Sequence, residues 1–262
     1  MKSSPVLSAR IAGIGFWCRG LPSWDAAQSF ARGGALPEQA PAKPAPQLLA
    51  PNERRRAPET VAVALEVALA ACQAAGRDPK LLPSVFTSTH GDLAITDYMC
   101  RQLAEDPAGI SPIRFHNSVH NAAAGYWTIG AGTHAPATAL SAFHGSFAQG
   151  LLEALTQLTT DTDEVLLVGY DSQSAGPLGR VSHSQGLLGA ALVLSRTGQG
   201  PMLRASLGSG GRDRAPAGPL EHHAAGNAMA PMLPLFDALA AGASHAHLDA
   251  GNGDALHVEL AR

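Results

Sequence analysis

The chain reads as an α/β protein, a mixed sheet packed between helices. Three features of its 262 residues carry that reading. Apolar runs of strand length alternate with Ala-rich helical stretches through most of the chain, and paired strands close it. Aromatics make up only 5% while there are 28 glycines, so helices and sheet are expected to meet through small side chains.

The first strand is expected over Ala9–Phe16, an apolar run ending in glycine. Gly13 and Gly15 resemble part of a dinucleotide loop, but the third glycine and an immediately following helix are missing. Trp24–Arg32 reads as a short helix capped by Ser23. Gly33 to Pro51 is dominated by Gly, Ala and Pro and is expected to be an exposed, mobile loop. Glu59–Ala75 places Val61, Ala64, Leu65, Ala68 and Cys72 on one helical stripe, with Gly76 as its stop. Val85–Thr89 is a short strand, and Asp92 is placed to cap the next helix, Leu93–Leu103.

Asp106–Phe115 carries Pro107, Gly109 and Pro112 and is expected to be irregular. Asn121–Ile129 follows as a small-residue helix, then a strand over Ala137–Ala142, a tight turn, and a helix over Ser146–Leu158. Glu164–Tyr170 is a continuous apolar run, as in a central strand covered on both faces. Gly189–Ser195 and Met202–Leu207 read as strands joined in hairpin fashion by Thr197–Pro201. After a Gly/Pro-rich break over Ser209–Pro219 come a helix, Ala228–Ala241, and two strands, His245–Ala250 and Ala255–Leu260. Gly251-Asn252-Gly253 between them is a hairpin turn signal.

Charge and cysteine content exclude several function classes. The net charge of −3 argues against nucleic acid as main partner, since phosphate binding needs clustered cations. Arg54-Arg55-Arg56 is the one concentrated basic run; it reads either as a solvated face before a helix or as a docking patch for an acidic partner. Cys18, Cys72 and Cys100 are scattered and odd in number, and read as reduced, buried small hydrophobes in a cytoplasmic protein. No membrane span is expected, and no signal-peptide core precedes Arg10. His116/His120 have helical spacing but fall in an expected loop without a nearby carboxylate or cysteine partner, and His222/His223 and His245/His247 are adjacent or strand-spaced, so no metal is expected.

The motifs now line up with one family. Arg54-Arg55-Arg56, with the Ala-rich helix running to Ala75-Gly76-Arg77-Asp78, resembles the second helix region of β-ketoacyl synthases. Val85–Asp92 (VFTSTHGD) is similar to the strand and glycine turn that follow there. Phe115–Gly125 (FHNSVHNAAAG) resembles the family's phenylalanine, proline-asparagine and alanine-glycine segment. Ala139–Gly150 falls on the nucleophile strand and helix, and Val165–Asp171 on the strand after it. The match runs from about residue 10 to 207. His223-Ala224-Ala225-Gly226 resembles the segment carrying one of the family's two catalytic histidines, and Ala250–Gly253 its closing glycine turn. The second histidine motif, His-Gly-Thr, is absent.

The resemblance implies a thiolase-like layered fold with a shortened second half-repeat. It implies one domain over 1–262, with 9–207 the N-terminal half-repeat and 220–262 a residual helix and hairpin. It is to short ketosynthase-like proteins of the chain-length-factor type, which implies fatty-acid or polyketide-type synthesis of aryl polyene, xanthomonadin-like pigments. No cofactor is implied. The implied partner is an active ketosynthase, in a heterodimer or higher assembly, with acyl carrier protein met indirectly.

Where the family has its cysteine, counting back from Gly150 reaches Ala142, or Phe143 if the turn differs by one. Neither can be acylated, so no catalytic residue is assigned. Phe143 reads either as a side chain that plugs an acyl pocket or protrudes towards a partner's pocket, or as a core aromatic. Tyr126, Ser141, Ala142, Phe143, His144 and Ser146 are the tunnel and interface candidates, and His223 is a weak remnant. Ser146 reads as a helix cap. The alternative function is an autonomous acyl transferase or thioester hydrolase using Ser146 or Ser141 with His144, and Asp171 as a conceivable acid.

Overall fold

The structure is a computed structural model describing residues 5–160, 162–210 and 216–262. In order, it contains β1 (Leu7–Cys18), α1 (Trp24–Ala31), α2 (Pro51–Arg56), α3 (Glu59–Ala75), β2 (Ser84–Thr87) and α4 (Leu93–Glu105). Then come α5 (Pro112–Asn117), α6 (Ala122–Ala131), β3 (Ala137–Leu140), α7 (Ser146–Gln157), β4 (Glu164–Asp171), β5 (Leu188–Ser195) and β6 (Met202–Ser209). The chain closes with α8 (Pro219–His223), α9 (Leu233–Ala241), β7 (His245–Gly251) and β8 (Asp254–Ala261).

Among the described residues the strands form one eight-stranded sheet in the order β3-β2-β4-β5-β1-β6-β8-β7. β2 pairs parallel with β3 and β4, and the remaining pairs are antiparallel, so the sheet is mixed. Side-chain alternation sends the two faces into two cores. Phe86, Leu166, Val168 and Val193 join Val63, Val67 and Trp127 of α3 and α6 on one side. Val85, Val165, Leu167 and Leu192 join Phe147, Leu151 and Phe236 of α7 and α9 on the other. This is the thiolase-like layered α/β fold.

The helix ends follow the sequence signals. Ser23 accepts from the Ala26 N–H, and Asp92 from the Ile95 N–H. Gly76 closes α3 at φ 63, a left-handed conformation that glycine adopts without Cβ strain.

Several expectations are corrected. β5 and β6 do not form a hairpin: β1 lies between them, and Ile11 donates its N–H to Pro201 O at 3.0 Å inside the connecting loop. The Asp106–Phe115 stretch is not wholly irregular, since α5 begins at Pro112, where Ser111 caps the Arg114 N–H. Arg54–Arg56 lie in a short helix of their own, α2, immediately ahead of α3, and Arg55 and Arg56 are exposed, as a solvated face would be. The helix expected from Ala228 starts as a 3-10 turn over Ala230–Met232 and becomes α-helical only at Leu233, with Pro231 and Pro234 at the two starts. The Gly33–Ala50 segment has no regular element but sends Leu49 into the core. Much of the break expected over Ser209–Pro219 lies outside the described residues.

Candidate functional site

The sheet edge β3 leads into a turn whose geometry is unusual. Leu140 ends the strand, Phe143–Gly145 form a 3-10 turn, and α7 starts at Ser146. Phe143 stands at φ 52, in the left-handed region, where a Cβ crowds the backbone. The residue is 49% exposed, and its ring centroid lies 4.0 Å from that of His144. It is therefore not a core aromatic.

The turn forms one wall of a cleft of about 1310 Å³, and the β7–β8 hairpin forms the other. Ala142, Phe143, His144 and Gln149 face Ala250 and Asn252 across it. Gln149 Nε2 donates to Ala250 O at 2.8 Å, tying hairpin to helix. A Cβ on Gly145 would stand 2.8 Å from the Ala250 carbonyl carbon, so the two backbones meet without room for a side chain. Gly251, Asn252 and Gly253 all have positive φ, the tight turn expected there.

Ser146 does not cap α7 as expected. It is the first helical residue, and its hydroxyl bridges the turn instead: Oγ accepts from the Ala142 N–H at 2.9 Å and donates to Phe143 O at 2.7 Å. The hydroxyl is thus committed to backbone rather than to His144, and the residue is buried. Ser141 Oγ donates to Thr89 O at 2.7 Å. Asp171 is also withdrawn from these serines, lying buried at the end of β4. The geometry assembles no serine–histidine–acid relay.

Other candidates lie elsewhere. Tyr126 on α6 donates its hydroxyl to Asn117 Oδ1 at 3.1 Å and meets the His116 ring edge-on. His223 donates through Nε2 to Arg19 O at 2.9 Å and packs on Phe30, and it is not among the residues lining the cleft. No group of three or more His, Cys, Asp or Glu among the described residues is arranged to hold a metal ion. No thiol lies at the turn. Burial pushes the Cys18 and Cys72 thiols up to about 12, far from thiolate at neutral pH, whereas Cys100 on α4 is exposed rather than buried as expected.

Sequence reasoning missed a buried polar web behind the turn. Ser88 Oγ donates to Asp171 Oδ1 at 2.6 Å, and the Thr89 N–H to Oδ2 at 3.0 Å. The His90 ring lies 3.8 Å from the same carboxyl, and Asn227 Nδ2 donates to Asp171 O. The Ser-Thr-His run at the end of β2 was a signal, but only the parallel pairing of β2 with β4 brings it to Asp171.

Burial pushes the Asp171 carboxyl above the usual carboxylate range, against the pull of His90, Ser88 and Thr89. A carboxyl whose folded pKa exceeds its unfolded one binds more protons when folded. Its contribution to stability is therefore full below about pH 4 and declines as pH rises through the folded value. Thermal melts of wild type and Asp171→Asn across pH 4–8 are expected to diverge, with the asparagine variant gaining relative stability as pH rises. Parallel curves would rule out this assignment.

The chain matches the model for the β-ketoacyl synthase N-terminal domain over residues 24–253. It belongs to that family. Among solved structures, this synthase-family chain is similar to one from the complex "Ketosynthase (ApeO) in Complex with its Chain Length Factor (ApeC)" of Xenorhabdus doucetiae. There the TM-score is 0.75 at 23% identity, covering 97% of this chain and 99% of that one. The ishigamide ketosynthase/chain length factor gives 0.73 at 15% identity, again over 97% and 99%. A β-ketoacyl synthase from Burkholderia phymatum STM815 gives 0.60 at 14% identity, covering 91% and 71%. Comparison with curated protein sequences gives no match.

Proposed function

We propose that this synthase-family chain is a non-catalytic, chain-length-factor-type subunit. It pairs with an active β-ketoacyl-ACP synthase and shapes the tunnel for its growing acyl chain, in polyketide or fatty-acid-type synthesis such as that of aryl polyenes. The single observation that carries this reading is the Ala142-Phe143 pair at the family's nucleophile turn: no atom there can be acylated, and an aromatic ring stands in its place. The active partner would supply the cysteine, the histidines and most carrier-protein contacts. The chain is one domain, an N-terminal half-repeat over 9–207 with 220–262 as the remnant of a second, and it acts in the cytoplasm. No helix among the described residues is long and apolar enough to cross a membrane. Both structures matched nearly end to end come from assemblies named for a ketosynthase and a chain length factor, which supports the reading.

The surface around β3 suits such pairing. β3 is an edge strand. Ile129, on the α6 helix that packs against β3, is 76% exposed. A groove of about 460 Å³ between α6 and β3 is lined by Gly125, Thr128, Ala137 and Ala139. Ser84 and Ser88 donate their N–H groups to Pro136 O and Leu140 O, so these alternate residues of the β3 segment face β2. By the period of two, Ala137 and Ala139 turn their backbone groups outward.

Ala139→Pro then removes an outward donor while sparing the β2 ladder. In co-expression with an active ketosynthase from the same genome, wild type is expected to co-purify and Ala139→Pro to be lost from the complex by at least tenfold while remaining folded. A wild-type chain that purifies alone and turns over acyl thioesters, with turnover abolished in Ser146→Ala, would overturn the reading.

A further inference from the structure

Phe143 holds a conformation that its own side chain does not favour. Among the described non-glycine residues only Asn252 shares a positive φ, and asparagine tolerates it. A strained residue persists when its surroundings over-determine it. Packing of the side chain does not do so, because the residue is half-exposed.

The backbone around Phe143 is held by one hydroxyl. Ser146 Oγ takes the N–H of Ala142, just before Phe143, and gives its proton to the carbonyl of Phe143 itself. Gly145 N–H adds a bond to Ala142 O at 3.0 Å. Ser146 is 1% exposed, so water does not compete for these bonds. On the far side, Gly145 is pressed against the Ala250 backbone and Gln149 is bonded to it. The turn is clamped between its own helix and the hairpin, and Ser146 is the side chain that reaches both flanks of Phe143.

We infer that Ser146 is a positioning residue whose hydroxyl selects the left-handed conformer of Phe143 and so fixes where the ring stands in the cleft. On the chain-length reading, on which this rests, Ser146 thereby sets the depth open to the acyl chain without touching it. A helix-capping serine would serve stability alone. This one governs the direction of a neighbour.

The test separates the clamp from the reading it serves. The isolated chain is labelled with 4-fluorophenylalanine at its seven phenylalanines, and the Phe143 resonance is assigned with Phe143→Leu. Ser146→Ala is expected to shift or broaden that resonance selectively, and Ser146→Thr, which keeps the hydroxyl, to restore it. Should Ser146→Ala fail to fold, Ser146→Cys, close in volume and a weaker acceptor, is expected to show the same change. A wild-type Phe143 signal in either folded variant overturns the clamp. In the co-expressed complex Ser146→Ala is expected to spread products over at least one further extension unit. Leu151→Val, a core change in the same helix, is expected to leave product length alone. If the Phe143 signal moves but products of the assembled complex do not, the clamp stands and the chain-length reading falls.

Discussion

Gly15→Ala is expected to lower the unfolding free energy by about 3 kcal/mol or more, the upper end of what overpacking a core costs. The cause is a close approach of α3 to β1. A Cβ on Gly15 would stand 2.0 Å from Val67 O and 3.0 Å from Ala71 N, and one on Gly13 2.3 Å from Ala71 O. These are backbone atoms in the middle of a buried helix, so no rotamer change relieves the clash. Either α3 lifts off, opening gaps beneath Val63 and Val67, or β1 bends away from β5 and β6. Gly76→Ala is the comparison: nothing lies within 4 Å of its Cβ, and only the left-handed backbone resists, for about 1–2 kcal/mol. Urea unfolding of the two variants should rank them clearly, with similar m-values. A Gly15→Ala midpoint no lower than that of Gly76→Ala would show that α3 does not sit this close to β1. The Gly13-x-Gly15 pair thus serves the packing of a strand under a helix, not a phosphate.

Much of the framework was legible because its signals are local. The continuous apolar run at Glu164–Tyr170 became a strand buried along almost its whole length, and the stripe Val61–Cys72 became the inner face of α3. Three of the misses have a common origin in proline. Pro51, Pro112 and Pro219 each read as a break, yet each occupies the first turn of a short helix, where its missing N–H has no intrahelical partner to lose. The β5–β6 error has a different cause. Two strands with a short connection satisfy hairpin rules, and only the pairing of β1 from the far end of the sequence shows that a strand lies between them. At the site, the absence of a thiol was plain from residue types alone. The direction of Phe143 was not, because it depends on the backbone conformation at one turn and on a serine hydroxyl that local rules assign to a cap.

That direction makes Phe143 the residue whose replacement should change function most for the least structural cost. Phe143→Gly is expected to shift products of the assembled complex toward longer chains by one or more extension units, as read by mass spectrometry of the released acyl products. Two opposing terms set its effect on folding. Losing a half-exposed ring forfeits about 1 kcal/mol of burial, half of what a fully buried aromatic would lose. Glycine adopts the φ of 52 without the 1–2 kcal/mol or so that a Cβ costs there. The two nearly cancel, so the melting temperature should stay close to that of wild type and assembly should persist. Phe143→Ala loses the ring but keeps the Cβ; it should match the glycine variant in product length while lying below it in stability by the strain term. Products that follow ring size and stability that follows φ would be separate readouts of one residue. An unchanged product distribution in both variants would take Phe143 out of the tunnel and leave its strained conformation without the function proposed for it.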